Sequence, residues 1–264
     1  MFVVILITCI QYKLVCIGLF YVFGLVCLTE FNRLIKQKSS ISYLIFTVIY
    51  ALFAFGESLL GSGEVVNQLS QIFHVLGIFV NLFLIRDLFS ARELPNLISN
   101  QFINTTFYIS SGFVFLILIA FNFGDYNPQI ILGIFMLIWT NDSFAYIVGK
   151  NFGKQKLFSS ISPKKTVEGF LGGVFFAALG SYFIAYIAPS LSFTNWLIIS
   201  VLVSVCGTLG DLVESKYKRQ ASVKDSGKIM PGHGGMLDRL DSAIFAAPFI
   251  YLFLRILNLS LIHI

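Results

Sequence analysis

Runs of roughly 20 apolar residues recur along the whole chain, separated by short polar segments. They fall at 1–29, 41–60, 71–89, 103–121, 129–149, 166–188, 193–213 and 242–260. A helix rises about 1.5 Å per residue, so each run is long enough to cross the hydrocarbon core of a bilayer. The pattern predicts an all-α, polytopic helical membrane protein with eight transmembrane helices, or nine if Gln11, Tyr12 and Lys13 divide the first run. Composition agrees: of 264 residues 57% are hydrophobic, and 29 Phe stand against 13 acidic residues. Soluble domains sit near 45–50% apolar, so a soluble fold of this size would leave much of that surface wet. The first run lacks the basic start and small-residue cleavage site of a signal segment. No fixed-period repeat or low-complexity tail is present, and the polar loops are too short for a separate soluble domain. The chain reads as one integral-membrane domain, 1–264.

Charge sets the orientation. Sixteen of the 18 Lys and Arg residues lie in the segments 30–40, 86–100, 150–165 and 214–241. The alternating segments 61–70, 122–128 and 189–192 hold none, and only Lys13 and Arg255 stand apart. By the positive-inside rule the basic segments face the cytoplasm. The net charge of +5 follows from this bias and calls for no nucleic-acid partner. Cys9, Cys16, Cys27 and Cys206 lie in apolar runs without a CxxC pair and read as small buried side chains.

The segment Glu214–Asp241 stands out in this oily background. In a chain only 12% charged, its 28 residues carry six basic and four acidic side chains. Other ionisable groups intrude on the apolar runs: Glu57, Asp142, Glu168, Asp211 and Glu214. Such groups are expensive in a membrane and mark candidate sites, although Glu57 also suits a half-solvated place near the outer interface. On a helix Asp211, Glu214 and Ser215 share a face, and Asp238 and Asp241 are three apart. If the last helix begins near Leu237, both of these carboxylates project from its first turn. There they would favour the helix N-terminus by about 0.3–1 kcal/mol each. Asp211 and Asp238, one loop apart, also suit a hard cation held by oxygen ligands from two helices. Upstream, Asp142 precedes a loop with five Lys and a Ser-Pro-Lys-Lys-Thr turn, with no strand before the helix that follows. Pro163 halts the preceding helix, Thr166 is placed to cap the next, and Lys164 and Lys165 flank a helix start that attracts phosphate. Gly227, Gly232, Gly234 and Gly235 would let backbone approach a ligand, and Lys218, Arg219, Lys224, Lys228 and Arg239 are available to phosphates. His74 and His263 read as structural.

The run Ser215-x-x-Lys218-Arg219, four residues, Lys224-Asp225-x-Gly227, then Pro231-x-His233-Gly234-Gly235-Met236-x-Asp238-Arg239-Leu240-Asp241 resembles the signature of the phosphatidate cytidylyltransferase family, also called CDP-diacylglycerol synthases. The stretch from Asn141 to Gly169 and the pair Glu30-Phe31 are similar to that family too. Tyr217 departs from it, since the family usually carries an aliphatic residue there. The N-terminal segment is short for the family's first helix. The resemblance implies an all-helical, dimeric integral membrane enzyme with a polar cavity open to the cytoplasm. It implies condensation of CTP with phosphatidic acid to CDP-diacylglycerol and pyrophosphate, with Mg2+ required and K+ as a second cation. The family's metal aspartates map onto Asp211 and Asp238.

On this basis residues 129–264 form the catalytic part. Asp211, Asp238, Lys224, Asp225, Arg239 and Asp241 are the candidate catalytic residues. Asp142, Lys164, Lys165, Ser215, Lys218, Arg219, His233, Gly234 and Gly235 are the candidate substrate-binding residues. His233 is given no role as a base, because phosphatidate is already anionic at neutral pH. The expected setting is a bacterial inner membrane, with lipid bilayer, CTP and phosphatidic acid as partners and a homodimer as the assembly. A related CTP-dependent lipid enzyme (polyprenol kinase or archaeal-lipid cytidylyltransferase) and an ion-coupled transporter are the competing readings. Clustering of the polar residues at one face favours an interfacial enzyme over a transporter.

Overall fold

The computed structural model describes residues 11–61, 63–90, 94, 100–121, 126–229 and 234–262. It contains α1 (Lys13–Leu34), α2 (Ile41–Leu60), α3 (Gly63–Leu88), α4 (Gln101–Ala120), α5 (Pro128–Phe152), α6 (Val167–Ile187), α7 (Phe193–Gln220) and α8 (Leu237–Ile262). By length and composition all but α2 can cross a membrane, and α2 carries a shorter apolar stretch, Ile41–Gly56. The chain is an all-α polytopic membrane protein. The interruption at Gln11, Tyr12 and Lys13 is where α1 begins, with Tyr12 at its N-cap, and residues 1–10 before it, Cys9 included, lie outside the described residues, as does His263.

Local chemistry sets several helix starts. Asn127 accepts from Gln129 N ahead of Pro128 in the first turn of α5, Ser192 accepts from Asn195 N, and Thr166 accepts from Gly169 N at 3.1 Å. Two boundaries differ from expectation. Helix α3 begins at Gly63 rather than near 71, and α7 runs to Gln220 rather than 213. In both, polar residues end the hydropathy signal without ending the helix, because Glu, Lys, Arg and Gln are good helix formers. Lys218 and Arg219 are therefore helical, not in a loop.

A third difference is a small antiparallel hairpin, β1 (Lys156–Phe158) and β2 (Ser162–Thr166). The segment read as a Ser-Pro-Lys-Lys-Thr turn is β2, so a strand does precede α6. Pro163 is tolerated because a two-stranded sheet has only edge strands. Nor does Pro163 end α5, which stops eleven residues earlier at Phe152, just before Gly153.

The helices pack as neighbours in sequence: α5 on α6, α6 on α7, and α7 on α8, with α8 backed by α4. Small residues set the closest approach, as expected where lipid gives little hydrophobic drive. A Cβ on Gly169 would lie 2.7 Å from Ala145 O and 3.0 Å from Gly149 Cα, so α5 and α6 meet almost backbone to backbone. Cys16, Cys27 and Cys206 are buried.

Pro248 lies inside α8 and leaves Ile244 O without its usual helical donor. Helix α4 closes on that carbonyl through Gly112, and His74 Nε2 donates to Pro248 O at 2.7 Å, which makes His74 structural. A Cβ on Gly112 would lie 2.4 Å from Ile244 Cγ2 and 2.7 Å from Ile244 O. The backbone carbonyl cannot move aside, so Gly112→Ala is expected to cost about 1–3 kcal/mol. Thermal unfolding in detergent should show a lowered midpoint. An unchanged midpoint would mean α4 and α8 are not clamped at this point.

Candidate active site at the charged end of the bundle

Helix α7 carries Asp211, Glu214 and Lys218 along one face, and α8 presents Asp238, Arg239, Asp241 and Ser242 from its first turns. Helix α5 contributes Asn141, Asp142, Tyr146 and Lys150, and the hairpin adds Lys156, Lys164 and Lys165. Together these elements line a cavity of about 660 Å³. Its mouth is basic and its floor acidic. Carboxylate oxygens of Asp211, Glu214 and Asp241 lie within 4.8 Å of one another, the one such three-residue grouping among the described residues. At that separation two carboxylates repel by roughly 3–4 kcal/mol at an effective dielectric of about 20.

Two lysines offset part of this repulsion. Lys165 pairs with Asp211, and Lys218 sits between Glu214 (2.5 Å) and Asp238 (2.7 Å). Glu214 is fully buried; its Oε2 rests against the ammonium of Lys218 outside hydrogen-bond alignment, and its Oε1 has no protein partner. Asp241 is buried and accepts from Ser242 N at 2.7 Å. Four carboxylates against two ammonium groups leave a formal charge of about −2 on the floor, and Asp142, which accepts from Asn141 Nδ2 at 3.2 Å, adds a further carboxylate above it. An all-oxygen donor set with that charge fits a hard divalent cation.

Asp238 differs from its neighbours. Besides Lys218 it accepts from Gly235 N at 2.7 Å, Ser226 N at 2.9 Å and Ser226 Oγ at 3.0 Å. Both of its oxygens are engaged, so it fastens the loop before α8 and holds Lys218. The pair expected to hold the metal was Asp211 and Asp238; in space, Glu214 and Asp241 converge on Asp211 instead. Sequence spacing placed Glu214 on the right face, but only α8's position relative to α7 brings Asp241 to it.

Gly227 and Gly235 close on protein. Glu30 of α1 is fully buried and accepts from Ser226 Oγ (3.1 Å), Met236 N (3.1 Å) and Leu237 N (2.8 Å). A Cβ on Gly227 would lie 2.1 Å from Glu30 Oε1, and one on Gly235 would lie 2.6 Å from Glu30 Oε2. Gly234 has φ +84°, a conformation glycine adopts without a Cβ penalty. Gly227 and Gly235 thus make room for Glu30, which caps the start of α8 from about 200 residues away in sequence.

Other expected residues divide. Asp142, Lys164, Lys165, Lys218 and Arg239 line the cavity. Ser215 stands behind the floor, its Oγ donating to Asp211 Oδ1 at 3.1 Å. Arg219 braces the hairpin and the following loop through Ile161 O (3.3 Å) and Val223 O (3.2 Å). Lys224 and Asp225 are exposed and are not among the described residues lining the cavity. His233 and Gly232 lie outside the described residues, as does the side chain of Glu57. Glu168 accepts from Lys154 N (2.9 Å) and Gln155 N (3.2 Å), fastening the turn after α5. Lys216, counted with the basic loop, is buried and donates to Asp87 O (2.7 Å) and Ser90 O (2.9 Å) at the end of α3. Tyr217 packs edge-on against Phe31, ring centroids 5.0 Å apart.

Glu30→Ala removes a carboxylate with three donors, each hydrogen bond to a charged group being worth about 1.5–3 kcal/mol. We expect faster protease cleavage within residues 222–236 while the membrane helices stay protected. Equal cleavage rates in mutant and wild type would remove Glu30 from the architecture of the site.

A sequence model of the cytidylyltransferase family matches residues 1–257. The chain is 46% identical over 152 residues to the phosphatidate cytidylyltransferase of Bacillus subtilis (strain 168), a match covering 57% of this chain and 56% of that protein. It is 41% identical over 149 residues to the protein of the same name in Staphylococcus aureus (strain COL), covering 56% and 55%. With the Staphylococcus saprophyticus protein of that name the identity is 43% over 159 residues, covering 60% and 56%. The chain thus spans about half the length of the curated relatives it matches. The match of the family model over nearly the whole chain places it: the protein belongs to the cytidylyltransferase family.

Proposed function

We propose that this chain transfers CMP from CTP to phosphatidic acid, giving CDP-diacylglycerol and pyrophosphate at the cytoplasmic face of a bacterial inner membrane. The observation that carries the reading is the cavity itself. A lysine-lined mouth stands over an acidic floor at the end of apolar helices, where a lipid phosphate and a soluble triphosphate can meet. The names of the relatives support it, and the basic segments at this end support the orientation.

In this reading a phosphatidate oxygen attacks the α-phosphorus of CTP in line. The new P–O bond forms as the bond to the β-phosphate bridging oxygen breaks, and pyrophosphate leaves with that electron pair. Such a transfer requires positioning and charge neutralisation more than covalent catalysis. Lys150, Lys156 and Lys164 neutralise the triphosphate at the mouth, with Arg239 on the α8 side. Lys165 holds Asp211 in place and faces the same space. Asp238 acts at one remove by fixing Lys218 and the loop before α8. Asp211, Glu214 and Asp241 would hold Mg2+, which supplies Lewis-acid stabilisation of the phosphates. A K+ ion as second cation would share the same acidic floor.

Purified full-length protein in mixed micelles with phosphatidic acid, given CTP labelled at the α-phosphate, should yield labelled lipid and one pyrophosphate per product. Transfer of label from γ-labelled CTP would instead indicate a lipid kinase. Pyrophosphate without labelled lipid would overturn the reading. Asp211→Asn and Asp241→Asn are each expected to lower kcat by on the order of 10²–10³ in folded protein. Lys165→Ala should lower activity as well. Full activity in either aspartate variant would remove the acidic floor from the mechanism.

A further inference from the structure

Helix α4 buries a tyrosine, Tyr108, that no sequence motif marks. Helix α4 is interrupted by a π-helical turn, Thr105–Ser110, and such turns are frequent at functional sites because the extra residue re-aims a side chain. The turn presents Tyr108 inward, fully buried, its ring 6.2 Å from Tyr217 and 6.1 Å from Phe245. On α7, Tyr217 is one turn nearer the charged end than Glu214. On α8, which runs the opposite way, Phe245 is one turn deeper than Asp241. These two contacts bracket Tyr108 at the level of the two carboxylates, with a third, to Phe31 of α1, at 5.4 Å.

The hydroxyl of Tyr108 is buried without a protein partner, and so is Glu214 Oε1. A buried donor and a buried acceptor without partners are each costly, by about 1–3 kcal/mol. Two such groups at one level of the bundle call for a common purpose.

We propose that Tyr108 is a positioning residue of the acidic floor, its phenol donating to Glu214 Oε1 in the cation-bound centre. The hydrogen bond fixes the rotation of the Glu214 carboxylate beside the cation, the service that outer partners give metal-ligating carboxylates elsewhere. The Lys218 ammonium restrains Oε2 from the opposite side. The inference rests on the reading of Asp211, Glu214 and Asp241 as a cation site.

The test uses the full chain in detergent without nucleotide and Mn2+ as the probe, followed by the electron paramagnetic resonance signal of free Mn2+ and by the thermal midpoint. Wild type should take up Mn2+ and melt higher with it. In Tyr108→Phe the half-saturating Mn2+ concentration should rise on the order of tenfold, with the metal-free midpoint close to wild type. Tyr217→Phe should bind as wild type does. In a Glu214→Asp background, where the shortened carboxylate is out of the phenol's reach, Tyr108→Phe should add no further weakening. Wild-type affinity in Tyr108→Phe overturns the proposal. So does a weakening that persists with Glu214→Asp, which would assign the hydroxyl to another group such as the buried amide of Asn81 on α3. A metal-free Tyr108→Phe protein that melts far below wild type would assign the hydroxyl a structural partner and also overturn it. If wild-type protein takes up no Mn2+, the cation reading itself fails and takes this inference with it.

Discussion

Lys218 between Glu214 and Asp238 is the contact on which the arrangement of the charged end turns. It joins α7 to α8 at the level where four carboxylates gather. Bringing those groups together in a medium of low dielectric is unfavourable unless positive charge is interleaved. A buried ion pair of this kind adds little net stability, because desolvation offsets attraction, but removing one member leaves a charge without compensation. The ammonium therefore serves geometry: it fixes the rotation of the two helices so that Asp211, Glu214 and Asp241 face one another.

The loop before α8 depends on a second buried charge from the far end of the chain. Glu30 supplies acceptors for the Ser226 hydroxyl and for the amides that open α8, and two glycines clear the space for it. Asp238 takes the remaining amides. A loop rich in polar groups is thus held by two carboxylates rather than by a hydrophobic core of its own. This explains how Ser226 and the stretch 235–237 of so polar a segment are anchored at the end of an apolar bundle. It also ties the N-terminal helix to the site, although α1 is not among the described elements that line the cavity.

Much of this was legible in the residues. Apolar runs gave the helices, basic bias gave one charged end, and the i, i+3 and i+4 spacings of Asp211, Glu214 and Ser215 gave a shared face. Thr166 was readable as a cap. What was not legible follows from how the readings were made. Hydropathy marks where apolar character stops, so it ended α7 at 213 although the helix continues. Ser162–Thr166 looked like a turn because Pro163 breaks helices, yet an edge strand accepts proline. Lys216 looked like a loop cation, but its stem is buried and its ammonium caps α3.

The sequence by itself determined that this chain spans a membrane, that its charge gathers at one end, and which residue types are available there for phosphate and cation chemistry. Those properties are sums over local composition and period, and no contact can alter them. Only the tertiary structure decided the partners. Asp238 and Asp241 are chemically alike and three residues apart, yet one is saturated by amides and Lys218 while the other faces Asp211 and Glu214. Gly227 and Gly235, read from the sequence as room for a ligand, close on Glu30 instead. Which oxygen meets which donor depends on the rotation and depth of helices distant in sequence, and hydrogen bonds, unlike hydropathy, are satisfied one pair at a time.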